Sequence, residues 1–318
     1  MHIEKKCGLF AFFFLLSAFC CIFSACGKKG EPTLKSYEKP PPPSSLSAVH
    51  RESEILFTWS FAKGRESFIK GFHLLKSSGE EFQEIAFLDN NIRSYADTVF
   101  SAGDEYRYKM ISQNLKGIFS NESNVLVIKP LTTPAPPENL SLKVGHDSLT
   151  LSWESAGNGM LYNVYKSEKS GSYPLSPFTK EPLKETFFED GINIGKTFYY
   201  TVRSLPGGEF RHEGASSIEI KVDPHFFLPY PPGNLQAVPT EESVYLIWKE
   251  SPEEWVTGYK VYRENDSEGF RLIGETATPS FFDKGKASTP RSYRVTASGP
   301  SKESPPAEIT GVIYTEPK

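Results

Sequence analysis

Apolar and polar residues alternate ahead of three tryptophans. Ile55 and Phe57 precede Trp59, Leu149 and Leu151 precede Trp153, and Val244 and Leu246 precede Trp248. A period of two puts one set of side chains on one face of a β-strand, whereas a helix needs a period near 3.6. Other marks recur in step with these strands. Pro42-Pro43-Ser44-Ser45-Leu46 returns as Pro136-Pro137-Glu138-Asn139-Leu140 and as Pro231-Pro232-Gly233-Asn234-Leu235, and each leucine stands 13 residues before its tryptophan. Phe72, Tyr162 and Tyr259 open three further alternating stretches. An aromatic-x-Asp follows, as Tyr95 and Asp97, Phe188 and Asp190, Phe281 and Asp283; a last strand carries Tyr108, Tyr200 and Tyr293. A period of about 94 residues, with strands and turns in each copy, predicts an all-β chain of three repeated sandwiches over 46–130, 131–224 and 225–318.

The first 45 residues follow a different pattern. Lys5 and Lys6 precede an apolar run from Leu9 to Phe23, too short for a membrane-spanning helix and suited to the apolar part of an export signal. Phe23-Ser24-Ala25-Cys26-Gly27 ends it and resembles the lipobox of bacterial lipoproteins. That resemblance implies a signal peptide over 1–25, cleavage before Cys26, and acylation of Cys26 as a membrane anchor. The alternatives are a secretory signal cut without lipidation and an uncleaved anchor. All 4 cysteines lie in the first 26 residues, so the rest of an exported chain has no disulfide and Cys26 serves as a handle. Gly27 rather than Asp follows it, which favours the outer membrane. Residues 26–45 form a polar, proline-rich spacer with Pro40 to Pro43 in one run. Residues 26–32 also resemble the start of small lipoproteins that assist the outer-membrane lipopolysaccharide translocon.

The repeats themselves resemble fibronectin type III modules: the proline pair, the second-strand tryptophan, the third-strand aromatic and the paired late aromatics all match. The resemblance implies immunoglobulin-like β-sandwiches whose core is centred on the tryptophan and which need no disulfide. It also implies a corner hydrogen bond from a late tyrosine. Tyr106 is placed for it in the first copy, while Phe198 and Arg291 occupy the matching positions in the others.

Composition narrows the function. The chain has 318 residues, 25 prolines and a net charge of −4, and the three repeats carry −1, −3 and −3. No stripe of Lys and Arg interleaved with aromatics is present, which argues against nucleic acid as a partner. The histidines beyond the signal, His50, His73, His146, His212 and His225, lack metal-ligand spacing, and no nucleophile elbow or phosphate-binding glycine loop occurs. Neither a metal nor a cofactor is expected. His73 alternates with core positions and is expected to face solvent. A carboxylate pair able to cleave polysaccharide would meet only in space, so a polysaccharide-acting enzyme stays as a remote alternative.

Two segments stand out as candidates for partner binding. The middle repeat carries an insertion from Ser167 to Leu183 that contains Tyr173 and Phe178; it is either a binding loop or a flap against the repeat's own edge. The stretch Pro224–Pro232, with Phe226, Phe227 and Tyr230, is too apolar for a free linker; it either packs between the second and third repeats or forms an exposed strip. Trp255 is a further anchor, unless it packs on a loop. The sequence therefore predicts a non-catalytic, lipid-anchored envelope scaffold that binds, adheres or spaces through its sandwiches, with a protein or glycan partner. The alternative is a translocon accessory acting through residues 26–32.

Overall fold

The structure, a computed structural model, describes residues 37–208, 210–265 and 269–316. Cys26, the signal segment and residues 26–32 lie outside them. Twenty-one strands occur among the described residues, in three sets. The first comprises β1 (Ser44–Arg51), β2 (Glu54–Ser60), β3 (Ile69–Ser77), β4 (Gln83–Asp89), β5 (Ser94–Asp97), β6 (Tyr106–Asn114) and β7 (Leu126–Ile128). The second holds β8 (Glu138–Val144), β9 (Ser148–Glu154), β10 (Leu161–Ser167), β11 (Phe187–Gly191), β12 (Phe198–Leu205), β13 (His212–Glu213) and β14 (Ile220–Val222). The third holds β15 (Gly233–Pro239), β16 (Ser243–Lys249), β17 (Gly258–Asn265), β18 (Gly269–Thr276), β19 (Ser280–Lys284), β20 (Arg291–Ser298) and β21 (Ala307–Val312).

Each set makes two sheets, the layout of a β-sandwich. The sheets run β13-β1-β2-β5, with β13 added from the second set, and β4-β3-β6-β7, then β8-β9-β11 and β10-β12-β14, then β15-β16-β19 and β18-β17-β20-β21. The chain is thus all-β, built as tandem immunoglobulin-like sandwiches. The alternating residues ahead of each tryptophan are the ones buried: Ile55, Phe57 and Trp59; Leu149, Leu151 and Trp153; Val244, Leu246 and Trp248. In the second and third sandwiches each tryptophan packs edge-on against the third-strand tyrosine, Trp153 on Tyr162 and Trp248 on Tyr259.

The proline-pair motif has a backbone reason. Ser45, Asn139 and Asn234, each just before the core leucine, take φ of +53°, +53° and +52°. In the second and third copies the register against the neighbouring strand slips there by a bulge. Asn tolerates this left-handed conformation better than other non-glycine residues, which accounts for its recurrence.

The chain divides into two compact units. One contains the described residues up to Ser47 together with Thr58–Ser94 and Tyr106–Val127. In it the end of the proline-rich segment is held rather than free: Asn114 Nδ2 donates to the Glu38 carbonyl and Ser112 Oγ to the Pro41 carbonyl, with Pro40 and Pro43 buried. His73 lies on the outer face of β3, but its neighbours cover it, leaving the side chain 12% exposed. It bonds Glu84 at 2.8 Å and sits between the rings of Phe87 and Phe119. The second unit comprises Ala48–Phe57, Tyr95–Glu105 and Ile128–Lys318, and the candidate residues within the described stretches all fall in it.

The aspartate of the aromatic-x-Asp repeat and the late-strand tyrosine bond one another in the second unit. Tyr200 donates to Asp190 at 2.6 Å and Tyr293 to Asp283 at 2.7 Å. Lys166 also pairs with Asp190, and Arg263 and Arg291 with Asp283. Burial and the Asp190 carboxylate push the Tyr200 hydroxyl up; burial, opposed by Arg291 and aided by Asp283, brings Tyr293 to about 12. These tyrosines stand two residues beyond Phe198 and Arg291, and their bond to the aspartate is distinct from the corner hydrogen bond.

Candidate functional site

Two joints dominate the second unit, and each is built from residues far apart in sequence. At the first, the last residues of β1 pair in parallel with β13 on the edge away from β2, His50 opposite His212 and Arg51 opposite Glu213. The His50 amide donates to the Arg211 carbonyl at 3.1 Å, and the Glu52 amide to that of Glu213 at 3.0 Å. Glu213 is fully buried. Its carboxylate accepts from Arg51 Nε and Nη2 at 3.0 and 2.7 Å, from Asn163 at 2.8 Å and from the Tyr165 hydroxyl at 2.5 Å. Arg211 adds an ion pair at 3.5 Å. A buried carboxylate persists only with such a set of donors. Burial and the Glu213 charge push the Tyr165 hydroxyl up, so it stays protonated and donating. Gly214 sits where the Pro134 carbonyl comes so near that a Cβ would lie 2.1 Å from its oxygen.

The second joint resolves the apolar stretch into two faces. Phe227 is 4% exposed and packs edge-on against Trp255, also 4% exposed, at 5.4 Å between ring centroids. Both belong to the core that contains Leu140, Trp153 and Val222. Trp255 Nε1 donates to the Gly145 carbonyl at 3.1 Å, the Glu254 amide to that of His146 at 3.1 Å, and the Tyr230 amide to buried Glu253 at 2.7 Å. The stretch therefore packs between the second and third sandwiches. Of the two alternatives for Phe227 and Trp255, packing or partner binding, the structure shows packing, and neither ring offers a surface. Phe226 behaves oppositely: it is 66% exposed, with Lys302 and Lys221 nitrogens 5.1 and 6.0 Å from its ring. Phe226 ends a single 3-10 turn over Pro224–Phe226 and the backbone is extended from Phe227, so Phe226, Leu228 and Tyr230 form an exposed apolar ridge along the joint.

The insertion covers its own sandwich edge. Where the first and third sets place β4 and β18 beside the third strand, the second has only this segment. The Phe178 amide donates to the Val164 carbonyl at 2.7 Å, and Leu183 and Tyr162 exchange backbone bonds at 2.8 and 2.9 Å. Thr179 is buried and accepts from the Val164 amide. Tyr173 donates to Glu219 at 2.6 Å, as do Ser170 and the Gly171 amide nearby. Burial, which alone would raise Glu219, is outweighed by these bonds, and its carboxyl is held below its ordinary value. The Phe178 ring lies against Phe188 and Lys166 but stays half exposed. The loop thus occupies an otherwise unpaired edge, and Tyr173 and Phe178 are tied to that sandwich rather than to the joint ridge.

The acidic groups of the third sandwich are likewise engaged. Glu303 accepts from Lys260, Tyr262 and Thr296 at 2.7–2.8 Å. Burial opposes these bonds, but they hold the carboxyl below its ordinary value. Among the described residues no cluster of His, Cys, Asp or Glu has metal-binding geometry, and no helix is long and apolar enough to cross a membrane. A cleft of about 290 Å³ in the first unit is lined by Pro40, Pro41, Phe68, Ile69 and Leu115 with Arg65 and Lys116. A smaller one, of about 170 Å³, lies beside Trp255, between His146, Asp147 and Ile194. The buried polar set around Glu213 was not singled out by sequence: β1 and β13 are 162 residues apart, and no local spacing signals their pairing.

These features define a β-rich scaffold of joined sandwiches. No protein-family model matches the chain. The chain is 30% identical over 182 residues to a Kelch domain-containing protein of Saccharolobus solfataricus, which covers 51% of this chain and 25% of that protein. It is 30% identical over 96 residues to an amylopullulanase of Thermoanaerobacterium saccharolyticum, covering 30% of this chain and 7% of the enzyme. The chain therefore spans a quarter or less of these relatives' length. Among solved structures it is similar to the FN1–FN3 domains of chicken CNTN1, with 15% identity, 85% of this chain and 98% of that one covered, and a TM-score of 0.26.

Proposed function

We propose that the chain is a bacterial outer-membrane lipoprotein, anchored through an acylated Cys26, whose tandem sandwiches act as a non-catalytic binding or spacing scaffold in the cell envelope. The observation that carries the scaffold reading is the second joint. Large apolar side chains, Phe227 and Trp255, fix one sandwich to the next, and the ridge Phe226–Leu228–Tyr230 stays outside. A device that only filled sequence between catalytic parts would not need a joint built into a sandwich core and held by three hydrogen bonds. The partner is a protein or a glycan; the amylopullulanase match, close to one repeat in length, fits a module that accompanies other functional parts. The lipid anchor rests on Phe23-Ser24-Ala25-Cys26. A single acyl chain holds a protein only marginally, but the several chains of a bacterial lipoprotein hold it stably.

Deleting residues 46–318 while retaining 1–45 tests the reading against the translocon-accessory alternative. Loss of the deletion phenotype's complementation supports a scaffold acting through the sandwiches. Full complementation by the short form would assign the function to residues 26–32.

A further inference from the structure

We propose that the pairing of β1 with β13 is a pH-sensitive latch, closed at neutral pH and opened by protonation of the His50–His212 pair. The two rings meet Nδ1 to Nδ1 at 3.1 Å, so one proton is shared between them: one ring donates and the other accepts. Both are buried, and the rings of Phe100 and Phe210 close the sides. His50 Nε2 is buried without a hydrogen-bond partner. In the neutral pair the donating ring holds its proton on Nδ1 and the accepting ring on Nε2, so a further proton goes either to the accepting Nδ1 or to the Nε2 of the donating ring, and both are unfavourable. On the accepting Nδ1 it sets two N–H groups against one another. Where His50 is the donor, its Nε2 becomes a buried cation with no acceptor; where His212 is the donor, the cation forms on that buried ring beside the arginines of the joint.

The charged neighbours do not relieve this. Arg51 from β1, Arg211 beside β13 and Arg203 from β12 add positive charge around the joint. The opposing carboxylate of Glu213 already accepts from Arg51, Asn163 and Tyr165, and Glu52 is paired with Arg203. Burial holds His50 below its ordinary value, partly offset by the Glu52 backbone; burial and the His50 charge hold His212 at about 4. Once β1 leaves β13, each ring is free to take a proton near its ordinary value of about 6.5. The open form then binds more protons than the closed form below that pH. The latch is at full strength above about 6.5 and loses strength as pH falls towards 4. From His212 alone, opening should be about 30-fold more favourable at pH 5 than at pH 8.

The test is hydrogen–deuterium exchange of the full chain at pH 8 and pH 5, corrected for the intrinsic rate. It follows the amides of His50 and Glu52, with that of Glu254 in the second joint as internal control. Protection of the first two should fall roughly 30-fold while the control holds. His212→Gln keeps a donor and an acceptor without a titrating charge, and should remove most of that pH dependence. Unchanged protection in the parent protein, or the same loss in the variant, would overturn the latch. Should the variant not pair at pH 8, ring titration of the parent protein by NMR decides: a His212 that titrates near 6.5 while both amides stay protected contradicts the proposal.

Discussion

Phe226 and Phe227 are adjacent and chemically identical, yet the structure assigns them opposite roles. Replacing Phe227 with Ala removes a ring that is 4% exposed and packed on Trp255. Truncating a buried Phe costs about 3–5 kcal/mol, of which the edge-on ring pair contributes about 0.5–1.5. Phe226→Ala removes a ring that is 66% exposed. Its only structural loss is the cation contact with Lys302 and Lys221, about 0.5–1 kcal/mol at an exposed site. Joined sandwiches need not unfold in one step, so a single melting temperature would blur the comparison. Native-state hydrogen exchange reads the joint alone, through the Glu254 amide bonded to His146 and the Tyr230 amide bonded to Glu253. Phe227→Ala should raise their opening by about two to three orders of magnitude, since each 1.4 kcal/mol is a factor of ten. Phe226→Ala should change it by less than about fivefold. Equal effects, or a larger one from Phe226, would refute the assignment of inner and outer faces.

Other substitutions test other parts of the account, each read by native-state hydrogen exchange of the amides around the site. Tyr293→Phe deletes the hydroxyl bonded to Asp283, and should cost about 1 kcal/mol because Arg263 and Arg291 still hold that carboxylate. Ser45→Asn places at φ +53° the residue used at the same point in the other two copies, and should stabilise by a few tenths of a kcal/mol up to about 1; a loss would contradict the bulge reading. Gly214→Ala forces a Cβ to within 2.1 Å of the Pro134 carbonyl oxygen, so backbone must shift at a cost of about 1–3 kcal/mol; a neutral result would refute the close approach. Glu213→Ala leaves Arg51 and Arg211 without their buried partner, and should destabilise the first joint by about 3–5 kcal/mol.

The sandwiches were legible because their signals are local. Alternation around Trp59, Trp153 and Trp248 reports which face of a strand is buried, and the repeat of about 94 residues reports how often the same solution is used. The aromatic-x-Asp mark was visible as a repeat, but its reason was not. Asp190 and Asp283 recur because each receives a hydroxyl from the strand that follows. The second joint was partly legible, since two phenylalanines among prolines cannot form a free linker, but which ring turns inward depends on backbone direction. The first joint was illegible. Arg51 and Glu213 look like ordinary surface charges until a parallel pairing across 162 positions buries them together. His73 lies on the outer face that alternation gave it; what local pattern did not show is that Phe87 and Phe119, contributed by other segments, partly cover it there.

The anchored-scaffold account is tested most directly at its attachment point, by mass spectrometry of the mature N-terminus from membranes of the native host, alongside fractionation of Cys26→Ser. The account predicts a chain beginning at residue 26 with an acylated cysteine, and loss of membrane association in the variant while the sandwiches remain folded. An unmodified N-terminus cut elsewhere, or a Cys26→Ser protein that stays on the membrane, would contradict it.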